Sequence, residues 1–366
     1  VGLVPASLLG IDLDSLLAAG AVAAAQLREP EPTANRAVAL GVIIGALARE
    51  GRDKLTLLVD EPIHGFGAWA EQLVAESTGK QGVGVIPVDL EPLGALECYQ
   101  DDRLFVRIAL SGGSAPRAAD GTSAETRLNE LAAAGHPVIN YTLSDAIDLG
   151  GEFFHWEAAT AIAGVALGIN PFDEPNVTES KQNTTAVLGE LSATGALPEL
   201  TPKCTDGPLA LWVDDALPAA FADDAVKLVA GQLQRLTQRS YIGIHAYVAT
   251  TPERTAALTA IRLLMRDGTR CATTVGYGPR FLHSTGQLHK GGAPIGWFVQ
   301  LVAGRPHDLE IPGSSFTFGQ LVAAQALGDA RSLVAHGLPI LRIHLGDNPE
   351  AGLAAVESLF RRALSA

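Results

Sequence analysis

Residues 55–59 read Leu-Thr-Leu-Leu-Val, and residues 65–76 read GFGAWAEQLVAE. The first is a continuous apolar run of strand length, while the second is amphipathic with helical spacing. The same alternation recurs outward from this pair. Val83–Val88, Phe105–Leu110 and Val138–Tyr141 are the next strand candidates, with a helix around Thr126–Ala134 and a strongly apolar one over Phe153–Leu167. Short Val/Ile/Leu runs separated by helices predict a parallel sheet covered on both faces. Between two of these runs, Ser111–Thr122 (SGGSAPRAADGT) is a surface loop by composition.

The second half alternates again. Leu209–Val213, Tyr241–Ala249, Cys271–Val275, Trp297–Val302 and Ile340–Leu345 are strand candidates. Thr251-Pro252 and Asn348-Pro349 each begin a helix, with a capping side chain before a first-turn proline. The break at Ala196–Pro208 carries three prolines and two acidic residues and marks a boundary. The chain is therefore read as α/β throughout. Residues 1–200 hold a doubly wound parallel sheet, with the end of a preceding domain, and 206–366 a second α/β domain whose sheet is open to being mixed. A chain of 366 residues suits two such domains better than one core.

Composition narrows the function classes. A net charge of -14 argues against nucleic acid or an acidic membrane as the main partner. No uncharged apolar run of about 18 residues is present. The apolar opening to Leu27 lacks a basic start and is interrupted by Gly10, Asp12 and Asp14, so it does not read as a signal peptide. Cys98, Cys204 and Cys271 are scattered, which predicts neither a disulfide framework nor a metal site and suits a reducing cytoplasm. The only methionine is Met265, so the chain is expected to be processed or, the favoured reading, a piece of something longer. Asp214-Asp215, directly after a strand candidate, reads as a turn and helix cap.

Asn170–Lys181, NPFDEPNVTESK, resembles the signature of the phosphoglucose isomerase family, in which an Asn-x-Phe-Asp turn leads to an essential lysine. Asn176 and Thr178 replace the family's glycine and glutamate, yet the lysine falls in register at Lys181. Glu76–Pro87, ESTGKQGVGVIP, is similar to the family's Gly-Glu-Ser-x-Gly-Lys stretch, with Ala75 in place of the glycine. The opening VGLVPASLLGIDLDSLLAAG resembles the segment directly after the family's Gly-Gly-Arg-Tyr-Ser motif. These matches cover about residues 1–185, in the family's order. The resemblance is to the form fused to a transaldolase. The transaldolase barrel and the family's phosphate loop are expected upstream of Val1, so the isolated chain is expected to bind sugar phosphate poorly.

The resemblance implies a sugar-isomerase (SIS) fold and the interconversion of glucose 6-phosphate and fructose 6-phosphate. It implies no metal or organic cofactor, and either a homodimer or a section of a longer fused chain. Glu76 takes the place of the family's proton-transfer base, and Lys181 that of its charge-balancing lysine. The family's histidine, in a Leu-His-Ser-x-Gly-Gln stretch after the glutamate, is missing from the corresponding VDLEPLGALECYQ. A similar string recurs at Leu282–Gln287, LHSTGQ, so His283 is expected to supply the ring-opening imidazole.

The chemistry asks for these residue types. Ring opening needs a group titrating near neutrality, and the proton shuttle between C1 and C2 needs a carboxylate. Partial burial is expected to raise the pKa of Glu76 from that of a solvated glutamate. An ammonium balances the developing oxyanion. Ser77 and Thr78 are candidate phosphate contacts. The run Gly276–Gly292 gathers Arg280, His283, His289 and Lys290 among five glycines, a composition suited to an anion. Glu61, directly after a strand, is the rival base. Read alone, Lys181 is an exposed helix-start lysine, Glu76 a helix-end glutamate and His283 a loop histidine. His64, His155, His245 and His344 read as packed or surface residues.

Overall fold

The computed structural model describes residues 2–173, 175–198, 200–214, 224–305 and 307–366, with backbone alone for Val177, Thr178 and Ser180. Contacts divide the chain into two units. The first comprises Val1–Gly79, Val83–Leu96 and Asp101–Asp173; the second comprises Lys80–Gly82, Glu97–Gln100 and Glu174–Ala366. The proline-rich stretch 196–208 thus lies inside the second unit.

The first unit opens with three helices, α1 (Leu3–Leu8), α2 (Leu13–Gln26) and α3 (Arg36–Arg49). Asp12, which interrupts the apolar opening, is the cap of α2: its carboxylate accepts from the Ser15 amide (3.1 Å) and hydroxyl (2.6 Å). Asn35 caps α3 in the same way. Then come β1 (Lys54–Val59), α4 (Gly65–Thr78), β2 (Ile86–Val88), β3 (Arg103–Leu110), α5 (Ala124–Ala133), β4 (Val138–Leu143) and α6 (Leu149–Leu167).

The four strands form an all-parallel sheet in the order β2-β1-β3-β4. Leu57 stands opposite Val106, and Ile108 opposite Tyr141. All six residues of β1 are buried, as befits an interior strand covered on both faces. The strand expected at 83–88 is shorter than its apolar content implies. Gln81 and Gly82 take positive φ in the turn before it, and the Val85 amide is used by the Thr78 hydroxyl (2.9 Å), so pairing begins at Ile86. Behind the sheet, α3 and α6 cross closely. A Cβ on Gly41 would lie 2.4 Å from the Ala159 carbonyl, and one on Gly45 would lie 2.5 Å from the Ala166 methyl.

The second unit begins with α7 (Pro175–Thr194). It continues through β5 (Cys204–Asp206), β6 (Leu209–Val213), α8 (Ala225–Leu233), β7 (Tyr241–Tyr247), α9 (Pro252–Thr269), β8 (Ala272–Tyr277), α10 (Thr285–Gly291), β9 (Gly296–Val302), α11 (Phe318–Ala335), β10 (Ile340–His344) and α12 (Pro349–Leu364). Its six strands order as β5-β6-β10-β9-β7-β8. β7–β10 run parallel, and β5 and β6 are antiparallel additions at one edge, so this sheet is mixed. The α/β reading holds in both units. Thr251 and Asn348 cap α9 and α12 through bonds from the Arg254 (3.2 Å) and Ala351 (3.0 Å) amides.

The core of this unit gathers Ile242, Ile244, Met265, Trp297, Val299, Leu341, Ile343 and Phe360, all buried. The turn expected here lies outside the described residues, apart from Asp214. Its carboxylate accepts from Arg235 (2.6 Å) and from the Ile340 amide (3.2 Å), tying the edge of the sheet; Asp215 lies outside the described residues.

Candidate functional site

Glu76, Ser77 and Thr78 occupy the last turn of α4. This helix buries Phe66, Ala70, Val74 and Thr78, a four-residue spacing that turns Glu76 and Ser77 to its half-buried flank. Thr78 is fully buried, and its hydroxyl is engaged twice, donating to the Val74 carbonyl (2.7 Å) and accepting from the Val85 amide. Among the described residues, the Glu76 carboxylate has no hydrogen bond or ion pair. Glu61 lies after the carboxyl end of β1, exposed, with its Oε2 2.6 Å from Nδ1 of His64.

The remaining candidates lie in the second unit. Lys181 is exposed on α7. Arg280 and His283 are exposed on a short 3-10 turn, Arg280–His283, between β8 and α10. The turn is anchored from beneath, because Phe281 and Leu282 are buried and the Phe281 ring sits 4.1 Å from that of His245. Within this unit the Leu282–Gln287 string and the helix of Lys181 are held together. The Asn176 amide donates to Gln287 Oε1 (2.8 Å), and Gln287 Nε2 donates back to Asn176 Oδ1 (2.8 Å). Gln287 is fully buried, so this reciprocal pair sets where α7 starts. The short segment after Glu76 also belongs here, where the Gly82 amide donates to the Gly291 carbonyl (2.9 Å).

His289 and Lys290 take a different place from the exposed pair. Both are buried, and the Lys290 ammonium lies 2.9 Å from Oδ1 of Asp329 on α11. Nδ1 of His245, on β7, lies 3.4 Å from the other oxygen of Asp329, and the rings of His245 and His289 stack at 4.7 Å. Burial alone would raise the Asp329 pKa, but Lys290 and His245 hold it well below the usual carboxylate range. Burial, and then His245, push the His289 imidazole well below its ordinary value, so it is neutral. Lys290 and His289 are therefore interior groups that fasten α10 to α11 and β7.

Sequence reasoning passed over Asp329. Its one signal was an acid inside the mostly small and apolar stretch Ala326–Ala330 of α11. Of the histidines read as packed or surface residues, His245 and His155 are buried and His64 is exposed. Among the described residues no helix is long and apolar enough to cross a membrane.

No family model matches the chain. Curated proteins do. One named glucose-6-phosphate isomerase from Symbiobacterium thermophilum is 31% identical over 220 residues, which is 52% of this chain and 49% of that protein. Another of the same name, from Heliobacterium modesticaldum, is 28% identical over 222 residues, again 52% and 49%. The chain spans about half the length of these relatives, and about half of it lies outside either match. A solved glucose-6-phosphate isomerase from Chlamydia trachomatis aligns over 90% of this chain and 67% of that one, at 13% identity and a TM-score of 0.31, too slight a likeness to build on.

Proposed function

We propose that this chain is the isomerase portion of a longer, transaldolase-fused protein that interconverts glucose 6-phosphate and fructose 6-phosphate in the cytoplasm. The observation that carries this reading is the identity of about 30% to glucose-6-phosphate isomerases over half the chain, together with the stretches ending in Lys181 and beginning at Glu76. In this reading the Glu76 carboxylate removes the proton from C2 of the open-chain aldose and delivers it to C1. The hydroxyl proton moves between O2 and O1, and the Lys181 ammonium steadies the enediolate oxygens. His283 passes a proton between the ring oxygen and the C1 hydroxyl during ring opening. Arg280 and Ser77 are the accessible groups left for the phosphate. The free carboxylate of Glu76, the exposed ammonium of Lys181 and the exposed imidazole of His283 support these assignments.

A second base is supported by one observation. Glu61 follows the carboxyl end of a parallel strand, where ligands gather in open α/β sheets, and it already holds an imidazole. Single-turnover measurement of fructose 6-phosphate formation by the longest natural form of the protein separates the two. Loss in Glu76→Gln with retention in Glu61→Gln upholds the first assignment, and the reverse pattern overturns it. Undiminished turnover in Lys181→Ala would end the isomerase reading of α7.

A further inference from the structure

In the second unit β7 connects outward to β8 on one side of the sheet, while β9 connects outward to β10 on the other. The chain therefore reverses its winding between β7 and β9. In an open α/β sheet, the crevice beyond the strand ends at such a point is where ligands bind. A cleft of about 260 Å³ occupies this place, lined by residues at the ends of β7, β9 and β10 and by the first turns of α11.

The polar groups of this cleft are chiefly donors. Arg342, on β10, is largely buried and gives one hydrogen bond to Gln300; among the described residues no carboxylate pairs with it. Nδ1 of His344 accepts from the Gly346 amide (3.0 Å), which leaves a neutral ring with its hydrogen on Nε2. Tyr247 is 2% exposed, and its hydroxyl faces the Asp329 carboxylate without a hydrogen bond of ordinary geometry. Arg305, exposed at the mouth, completes the set.

The acids nearby are already committed. Asp308 turns its carboxylate onto the start of α11, accepting from the Gly319 (2.7 Å) and Leu309 (2.8 Å) amides and from the Thr317 hydroxyl. Asp329 belongs to Lys290. Val302, Val322 and Ala326 supply an apolar wall.

We infer that this crevice binds the phosphate group of a small phosphate monoester, at a site separate from the groups assigned to isomerisation. Two guanidinium groups, an imidazole N–H and a phenol O–H match a doubly charged tetrahedral anion better than a single carboxylate. The apolar wall takes the short carbon portion, and the volume is too small for a nucleotide.

Calorimetric titration of the full chain with inorganic phosphate and with glycerol 3-phosphate tests this. Neither probe can be isomerised, so failure of the isomerase reading leaves the titration intact. Saturable binding is expected, tighter for glycerol 3-phosphate and at least tenfold weaker in Arg342→Gln. Arg305→Gln, at an exposed position that leaves the fold alone, is expected to weaken it several-fold. Absence of saturable binding overturns the proposal, as does affinity unchanged in Arg305→Gln and in a folded Arg342→Gln. Loss of binding on Lys181→Ala, with none on Arg305→Gln, would assign the anion to the isomerase groups and equally overturn it.

Discussion

His289 is neutral inside the second unit, facing His245, Asp329 and Lys290. Its folded-state pKa is depressed, whereas in the unfolded chain the ring protonates near pH 6.5. Below that pH the unfolded state binds a proton that the folded state refuses. Stability is thus fully present above about pH 6.5 and falls below it by at most about 1.4 kcal/mol per pH unit. Urea denaturation of wild type and His289→Phe between pH 7.5 and 5 is expected to show this slope in the first and a shallower one in the second. Asp329 behaves differently. Its folded pKa is also depressed, but it is an acid, so its stabilisation is present above about pH 4 and is lost as pH falls toward the folded value. Asp329→Asn leaves the buried Lys290 charge without its counter-ion and is expected to cost about 3–5 kcal/mol at pH 7. At the proposed isomerase groups, Glu76→Gln is expected to lower turnover by about 10²–10⁴-fold, the usual worth of a positioned base.

Among elements, the docking of α7 on α10 rests on the amide pair between Asn176 and Gln287. Gln287→Ala strands a half-buried backbone N–H and is expected to destabilise by about 1–3 kcal/mol, read as a lower urea midpoint with unchanged m. Removing the cap in Thr251→Ala is expected to cost about 1 kcal/mol. That cap was legible because hydroxyl-then-proline is a local signal, as was Asn348-Pro349. β1, β3, β6 and β10 were legible from their apolar runs. By contrast, α10 was not. Its run carries Gly286, Gly291 and Gly292, which lower helix propensity, and it is held by tertiary partners on α7 and α11 that no local pattern announces. The short strand β5 hid inside the proline-rich break, since its pairing with β6 is its only reason to be extended. Helices α2 and α3 went unread although Asp12 and Asn35 stood ready as caps, because their apolar residues do not keep to one face.

For the molecule as a whole, two sheets with separate apolar cores account for the chain length better than one. Phe360, fully buried, closes the core of the second unit, and Phe360→Ala is expected to cost about 3–5 kcal/mol there. Hydrogen exchange is expected to speed in β6, β9 and β10 while protection in β1 and β3 stays as it was. Of the stretches that resemble the isomerase family, the one beginning at Glu76 starts in the first unit, whereas Lys181 and the LHSTGQ string stand in the second. Local reading can match each stretch, but it has no means of telling which interior a side chain enters. That is why Lys290 and His283, seven residues apart and alike in the sequence, end as a buried ion-pair partner and an exposed imidazole.

The glycine seam between α3 and α6 has an outcome of its own. Where two helices meet main chain to main chain, a single added methyl cannot be absorbed by a side-chain rotation. The rods must part along their whole length or tilt, dragging the packed layer with them. Positions 41 and 45 therefore behave as fixed spacers: of the twenty residue types only the one bearing a lone hydrogen keeps the rods in place, and even alanine at 41 should act as a wedge.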